Sequence, residues 1–205
     1  SSAASDVYKR QHPHGVRRDS FGGAFNDIAV SIHAPTRGAT RGRISGIHVH
    51  YTFQSTHPHG VRRELDNIYR QLYEAAFEAS KKAYAPYSKF HVGAAVLLEN
   101  GEILSGNNQE NAAYPSGLCA ERTTLFYAGA RYPDAAVQIL AIAAMKDGER
   151  VDLITPCGAC RQVMLETEQR YNKPMKVLLC GKEEAYLVPS ATALLPFCFS
   201  KSDLI

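Results

Sequence analysis

The chain has 205 residues, of which 45% are hydrophobic and 21% are charged, a composition typical of globular proteins. No apolar run reaches the ~20 residues that a membrane-spanning helix needs, and the first residues carry no apolar stretch typical of an export signal. We therefore expect a cytoplasmic protein with no membrane partner.

Charge divides the chain into two parts. Residues 1–63 carry nine Lys and Arg against three Asp and Glu, whereas residues 64–205 carry fourteen against seventeen. Seven of the eight histidines also lie in the first part. This change predicts a boundary near Glu64, with a disordered, non-native extension over 1–63 and the functional domain over 64–205.

The first part contains the phrase HPHGVRR twice, at 12–18 and at 57–63. One DNA string, ATCCACGCACCCACACGGGGTGCGACG, encodes IHAPTRGAT, and when started one base later it encodes STHPHGVRR. We interpret residues 1–60 as translated repetitive DNA that resembles a CRISPR-array repeat, and the opening SSAASDVYKRQ resembles a sequencing-adapter remnant. The alternative is a basic tail that binds nucleic acid. The histidines lack the hydrophobic periodicity that would hold them around a metal.

From Glu64 onward the hydrophobic patterns become regular. Three- and four-residue apolar steps indicate helices, while short apolar runs and the Asn100-Gly101 turn indicate strands. The predicted helices are 64–85, 119–132 and 157–171, and the predicted strands are the two of a hairpin over 91–110 and two buried ones, 137–146 and 175–180. This order predicts a three-layer α/β/α sandwich around a mixed sheet.

The five cysteines all lie in the second half of the chain. An odd number favours metal ligands and buried free thiols over a disulfide framework. Cys157 and Cys160 have the spacing of half a zinc site, and Cys119 opens another predicted helix, so two helix N-termini could bring three sulfurs to one zinc ion. Cys180 and Cys198 are predicted to be buried as small apolar residues.

Glu121 follows Cys119 by two positions and could reach the open side of such a metal without binding it. Three protein ligands beside a carboxylate favour a catalytic zinc site. The alternative is a closed structural zinc site, which needs a fourth ligand, and no other cysteine or histidine stands beside Cys119.

These residues are similar to the motifs of the zinc nucleobase deaminases, in which three cysteines and a non-ligating Glu are one permitted pattern. Four segments resemble successive blocks of the small homotetrameric cytidine deaminases: YAPYSKFHVGAAVL, GNNQENAAYPSGLCAERT, PCGACRQVM and ALLPFCFSKSDL. The resemblance covers 64–205 and implies the cytidine deaminase fold, one Zn²⁺ per subunit and a nucleoside substrate. It also implies that Glu121 carries protons from water to N3 of cytosine and then to the departing ammonia.

The resemblance further implies roles for residues around the substrate and the metal. In the family the matching residues contact the base and the ribose, reach into a neighbouring subunit's site, or lie around the zinc ligands. The positions here are Phe90 and Val92 for the base, Asn108 and Glu110 for the ribose, Ala120 in the pocket, Tyr114 and Phe199 for the neighbouring subunit, and Arg122, Arg161 and Gln162 around the ligands. Asn107 stands where the family usually has a cysteine or a small residue.

The ligand type narrows the substrate class. Deaminases of nucleic acids and of dCMP resemble one another in using H-x-E, whereas this chain has C-A-E at 119–121 and a mildly acidic globular part. We therefore expect a free nucleoside and no nucleic-acid partner, with cytidine and deoxycytidine as equal candidates. A blasticidin-S-type deaminase and an inert structural zinc module are the alternatives.

Overall fold

The computed structural model describes the backbone of residues 41–44, 47–51 and 59–204, and the side chains of residues 67–204. All of them belong to one unit, 38–205. In chain order the strands are β1 (Arg41–Ile44), β2 (Ile47–Tyr51), β3 (Phe90–Leu98), β4 (Ile103–Asn107), β5 (Val137–Lys146), β6 (Glu149–Arg150), β7 (Lys176–Cys180) and β8 (Glu184–Val188). The α-helices are α1 (His59–Ser80), α2 (Ala120–Arg131) and α3 (Gly158–Tyr171), and short 3₁₀ helices span Tyr114–Ser116, Ala191–Leu194 and Lys201–Asp203.

The strands form one mixed sheet in the order β1-β2-β8-β7-β5-β3-β4, with β6 paired to β5. The pairs β5–β7 and β2–β8 are parallel. The pairs β1–β2, β3–β4, β3–β5, β5–β6 and β7–β8 are antiparallel. Strand β5 is buried at nearly every position, as expected of a strand that is covered on both faces.

Helices cover the two faces of this sheet. Helix α1 packs on one face, where Leu72, Tyr73 and Phe77 share a buried cluster with side chains of β3, β5 and β7. Helices α2 and α3 pack on the other face, where Leu125 and Met164 join a second buried cluster. The three-layer α/β/α fold with a mixed sheet is therefore confirmed.

Helix α1 lies directly on β3 at Gly93. A Cβ atom at this position would come within 2.0 Å of the Ala76 carbonyl oxygen and 2.5 Å of the Ser80 backbone nitrogen. Only a residue without a side chain permits this approach of helix and strand.

Some boundaries differ from those predicted. Helix α1 begins at His59 and ends at Ser80, ahead of Pro86. It ends early because Lys82 and Ala83 form tighter turn bonds to Ala79 and Ser80, after which Tyr84 pairs with Gln109. Strands β1, β2, β6 and β8 were not predicted. Strand β8 carries charge at its first position, and its pairing with β7 is decided by the tertiary fold.

The predicted extension over 1–63 lies mostly outside the described residues. Within that range the described backbone forms β1, β2 and the start of α1, and β2 pairs with β8. The boundary near Glu64 stays a prediction. In the part of the chain that the structure describes, none of the helices combines the length and apolar character needed to cross a membrane.

Candidate active site

Three cysteines from two helix N-termini converge on one point. Cys119 is the N-cap of α2 and Cys157 is the N-cap of α3, both with extended backbone, and Cys160 follows one turn into α3. Their Sγ atoms all lie within 4.8 Å of one another. Cys160 is fully buried, whereas Cys157 is exposed, so the cluster opens to solvent on one side.

Cys119 and Cys160 differ in acidity. A hydrogen bond from the Cys160 thiol, assisted by Arg122, lowers the pKa of Cys119 to about 5. The Arg122 guanidinium lies 3.6 Å from the Cys119 sulfur. The pKa of Cys160 is raised, because its proton is shared with Cys119 and because the group is buried. Within this hydrogen-bonded pair, Cys119 is therefore the more readily ionised thiol.

Glu121 lies in the first turn of α2 and is only 5% exposed. Burial raises the pKa of its carboxyl group, and the charge of Cys119 raises it further. A carboxyl group in this environment exchanges its proton closer to neutral pH than a surface glutamate does.

Arg161 and Gln162 hold the chain around the cluster. The Arg161 guanidinium donates to the Pro156 carbonyl oxygen, 2.8 Å away, and to the Leu194 carbonyl oxygen, 3.1 Å away. The Gln162 amide donates to the Phe199 carbonyl oxygen at 2.8 Å. These bonds connect the loop before Cys157 with the C-terminal segment. Charge compensation by Arg161 stays a prediction.

The candidate base and ribose residues form one connected unit. The Asn108 side chain is nearly buried, accepts from the Val92 backbone N–H at 2.7 Å and donates to the Phe90 carbonyl oxygen at 3.0 Å. Glu110 accepts from the backbone N–H groups of Tyr87 and Ser88. Although partial burial acts to raise the pKa of Glu110, hydrogen bonds from Ser88 and Tyr87 hold it below its usual value.

The candidate subunit-bridging aromatic residues are exposed. Tyr114 is 74% exposed and its ring lies 6.1 Å from that of Tyr87, while Phe199 is 59% exposed. Ala120, by contrast, is fully buried at the start of α2. The prediction that Cys198 is buried is wrong, because the segment after Leu194 runs along the surface, whereas Cys180 is buried in β7 as predicted.

Ser88 was not among the predicted site residues. Its hydroxyl donates to Glu110 and accepts from the Phe90 backbone N–H at 3.0 Å. A serine in a loop gives no sequence signal for such a role. The neighbouring Lys89 has a φ of 56°, which is unusual for a residue with a side chain, and the sequence gives no sign of this backbone conformation.

The cysteine cluster fits a zinc ion. Thiolate ligands suit zinc, and Zn–S bonds of ~2.3 Å in a tetrahedral arrangement require sulfurs roughly 3.8 Å apart. The spread of the three Sγ atoms is compatible with this value. Among residues 67–204, no further Cys, His, Asp or Glu joins the cluster, so the protein side chains leave a fourth position open.

A family model described as the "cytidine and deoxycytidylate deaminase zinc-binding region" matches residues 66–172, more than half of the chain. The chain belongs to this deaminase family. The matched residues include all three cysteines and Glu121, and the zinc-binding region of the family therefore coincides with the cluster described above.

Individual members of the deaminase family resemble the chain over most of their own length. A cytidine deaminase of Halalkalibacterium halodurans is 40% identical over 135 residues, which are 66% of this chain and 96% of that protein. A cytidine deaminase of Sporosarcina psychrophila is 43% identical over 127 residues, 62% of this chain and 88% of that protein. The crystal structure of a cytidine deaminase from Burkholderia pseudomallei superposes with a TM-score of 0.55 at 40% identity, covering 63% of this chain and 97% of that one.

Proposed function

We propose that this chain is a zinc-dependent hydrolase that deaminates cytidine, deoxycytidine or both, with water as co-substrate and ammonia plus uridine or deoxyuridine as products. One observation carries the proposal: the buried carboxyl group of Glu121, with its raised pKa, follows Cys119 by two residues and lies beside the three-cysteine cluster. A purely structural zinc site needs no buried acid at this point. The similar proteins named cytidine deaminase support the choice of substrate.

In this proposal Cys119, Cys157 and Cys160 hold one zinc ion per subunit. Zinc, when bound, supplies Lewis-acid chemistry that makes water nucleophilic near neutral pH. Glu121 takes a proton from the water whose oxygen bonds to C4, and gives it to N3 of cytosine. It then takes the remaining proton of that oxygen and delivers it to the amino group, so that the C4–N bond breaks, ammonia leaves and the C4 carbonyl of uracil forms. Its raised pKa suits a group that must both accept and release a proton.

The substrate is held from two sides. Phe90, Val92 and the backbone at Ala120 contact the base, while Asn108 and Glu110 bind the ribose hydroxyl groups. Asn108 supports this arrangement because its own bonds to Phe90 and Val92 fix it against the strand that carries the base contacts. Arg122 offsets the negative charge of the sulfurs through its contact with Cys119.

We further propose a cytoplasmic homotetramer that acts in pyrimidine salvage, with a functional domain that begins near Glu64. The exposure of Tyr114 and Phe199 supports the assembly, since large aromatic side chains at the surface often mark subunit contacts. In such a tetramer these two residues complete the pocket of a neighbouring subunit, so that active sites are shared between subunits.

The test is the ultraviolet absorbance of cytidine mixed with the zinc-loaded protein. We expect the cytidine band to decay, chelation of zinc to abolish the decay, and Glu121→Gln to abolish it while zinc content stays at one ion per chain. Glu102→Gln, at an exposed position of the β3–β4 turn, is the matched control and keeps full activity. If blasticidin S were deaminated and cytidine were not, the substrate would be of the blasticidin S type. Full activity in Glu121→Gln would refute the mechanism.

A further inference from the structure

The Glu110 carboxylate sits in a cradle made by the turn that follows α1. Its Oε2 atom accepts from the backbone N–H of Tyr87 at 3.0 Å and from that of Ser88 at 3.2 Å, and its Oε1 atom accepts from the Ser88 hydroxyl. An ionised carboxylate offers about four lone-pair sites. The turn therefore occupies three of them and leaves room for one more hydroxyl donor.

The turn itself is built to present these donors. It is closed by a hydrogen bond from the Lys89 backbone N–H to the Ala85 carbonyl oxygen at 3.1 Å, and Lys89 takes the left-handed conformation with a φ of 56°. The Ser88 hydroxyl uses both of its functions here, since it donates to Glu110 and accepts from the Phe90 backbone N–H at 3.0 Å. A side chain with only an acceptor or only a donor could not replace it.

The hydroxyl restricts a motion that the backbone donors allow. With only Oε2 held by two N–H groups, the carboxylate could pivot about that atom and move Oε1. The bond from Ser88 to Oε1 removes this freedom. Loss of the Ser88 hydroxyl also removes the acceptor of the Phe90 backbone N–H. This second loss matters less for the proposed base contact, because the Phe90 carbonyl oxygen is separately bonded to Asn108.

We propose that Ser88 is a positioning residue for the sugar end of the substrate, and that its hydroxyl fixes the Glu110 carboxylate in the orientation that accepts a ribose hydroxyl. This inference rests on the proposed deamination of nucleosides. Ser88 does not touch the reacting atoms. It acts through Glu110 and so governs discrimination by the sugar, not the chemical step.

The experiment compares cytidine with 2′,3′-dideoxycytidine, which lacks both ribose hydroxyls, on the zinc-loaded full chain. For Ser88→Ala we expect the KM for cytidine to rise about tenfold, as for loss of one hydrogen bond to a charged group, with kcat changed less than about twofold. On dideoxycytidine the same variant is expected to change kcat/KM less than about twofold. Ser88→Thr, which keeps the hydroxyl, restores the cytidine KM, and Ser105→Ala, at an exposed position of β4, is the neutral control.

An equal loss on both nucleosides, or no loss on either, would overturn the inference while leaving the proposed function intact. An inactive wild-type protein would instead overturn the proposed function and this inference with it. Circular dichroism checks that the variants fold, as expected for an exposed position. Ser88→Cys, a weaker donor of similar size, gives the same substrate contrast if the alanine variant does not fold.

Discussion

The Glu168 carboxylate joins α3 to the segments that follow it, and its removal is expected to destabilise the fold. Glu168 is 7% exposed. Its Oε1 atom accepts from the backbone N–H of Met175 at 2.7 Å and of Ala191 at 2.9 Å, and its Oε2 atom accepts from the Thr192 N–H at 2.9 Å and from the Thr192 hydroxyl at 2.5 Å. Glu168→Ala leaves three backbone donors without this partner.

The magnitude follows from those donors. Each buried donor without a partner costs roughly 1–3 kcal/mol. The N–H groups of Met175 and Ala191 are buried, whereas Thr192 is only partly buried and can bond to water. We therefore expect Glu168→Ala to lower the free energy of unfolding by about 3–5 kcal/mol, in the range for breaking a buried charged network. Glu168→Gln keeps one oxygen and is expected to cost about 2 kcal/mol, and Thr192→Val, which loses one hydroxyl, about 1 kcal/mol.

The assay is urea unfolding of the zinc-loaded protein, followed by far-ultraviolet circular dichroism. Glu166→Ala, at an exposed position of the same helix, is the matched control and should lie within about 0.5 kcal/mol of the wild type. Amide hydrogen exchange at Met175 and Ala191 should accelerate in Glu168→Ala. If Glu168→Ala costs no more than Thr192→Val, the carboxylate does not hold these segments and the reasoning is wrong.

Three further predictions concern packing, charge and thiol access. Gly93→Ala is expected to lower the free energy of unfolding by about 3 kcal/mol or more in the same urea assay, since its Cβ would clash with the Ala76 carbonyl oxygen, and an unchanged value would contradict the contact of α1 with β3. Burial raises the pKa of Glu121 above about 4.5, so the stability that its protonated form contributes is present below that pH and is lost as the pH rises through the folded-state pKa. Metal-free Glu121→Gln should therefore gain stability relative to the wild type as the pH rises above about 4.5, and a relative loss would contradict the shift. Cys198 is exposed and Cys180 is buried with a raised pKa, so iodoacetamide should modify Cys198 but not Cys180 in the native zinc-loaded protein, as mass spectrometry of peptides would reveal.

The sequence predicted those features that depend on local pattern. The helices α2 and α3 and the buried strand β5 follow from periodicity and from long apolar runs, and the three cysteines meet because each lies at or near a helix start. Features that depend on distant contacts were missed. Glu168 looks like any helical surface glutamate until Thr192, far along the chain, packs on it. A cysteine carries no local sign of burial, so Cys198 was wrongly expected to be buried.

The segment after β8 has consequences for how the site can change during evolution. Between 191 and 204 it contains no strand, and side chains of a single helix, α3, bond it along its length: Glu168 to Thr192, Arg161 to Leu194, Gln162 to Phe199 and Gln169 to Lys201. The same helix carries Cys160. A substitution that shifts α3 therefore displaces a sulfur and the terminal aromatic residue together. The position of the sulfurs and that of Phe199 are therefore coupled through α3, and a change that alters one without the other has to lie outside this helix.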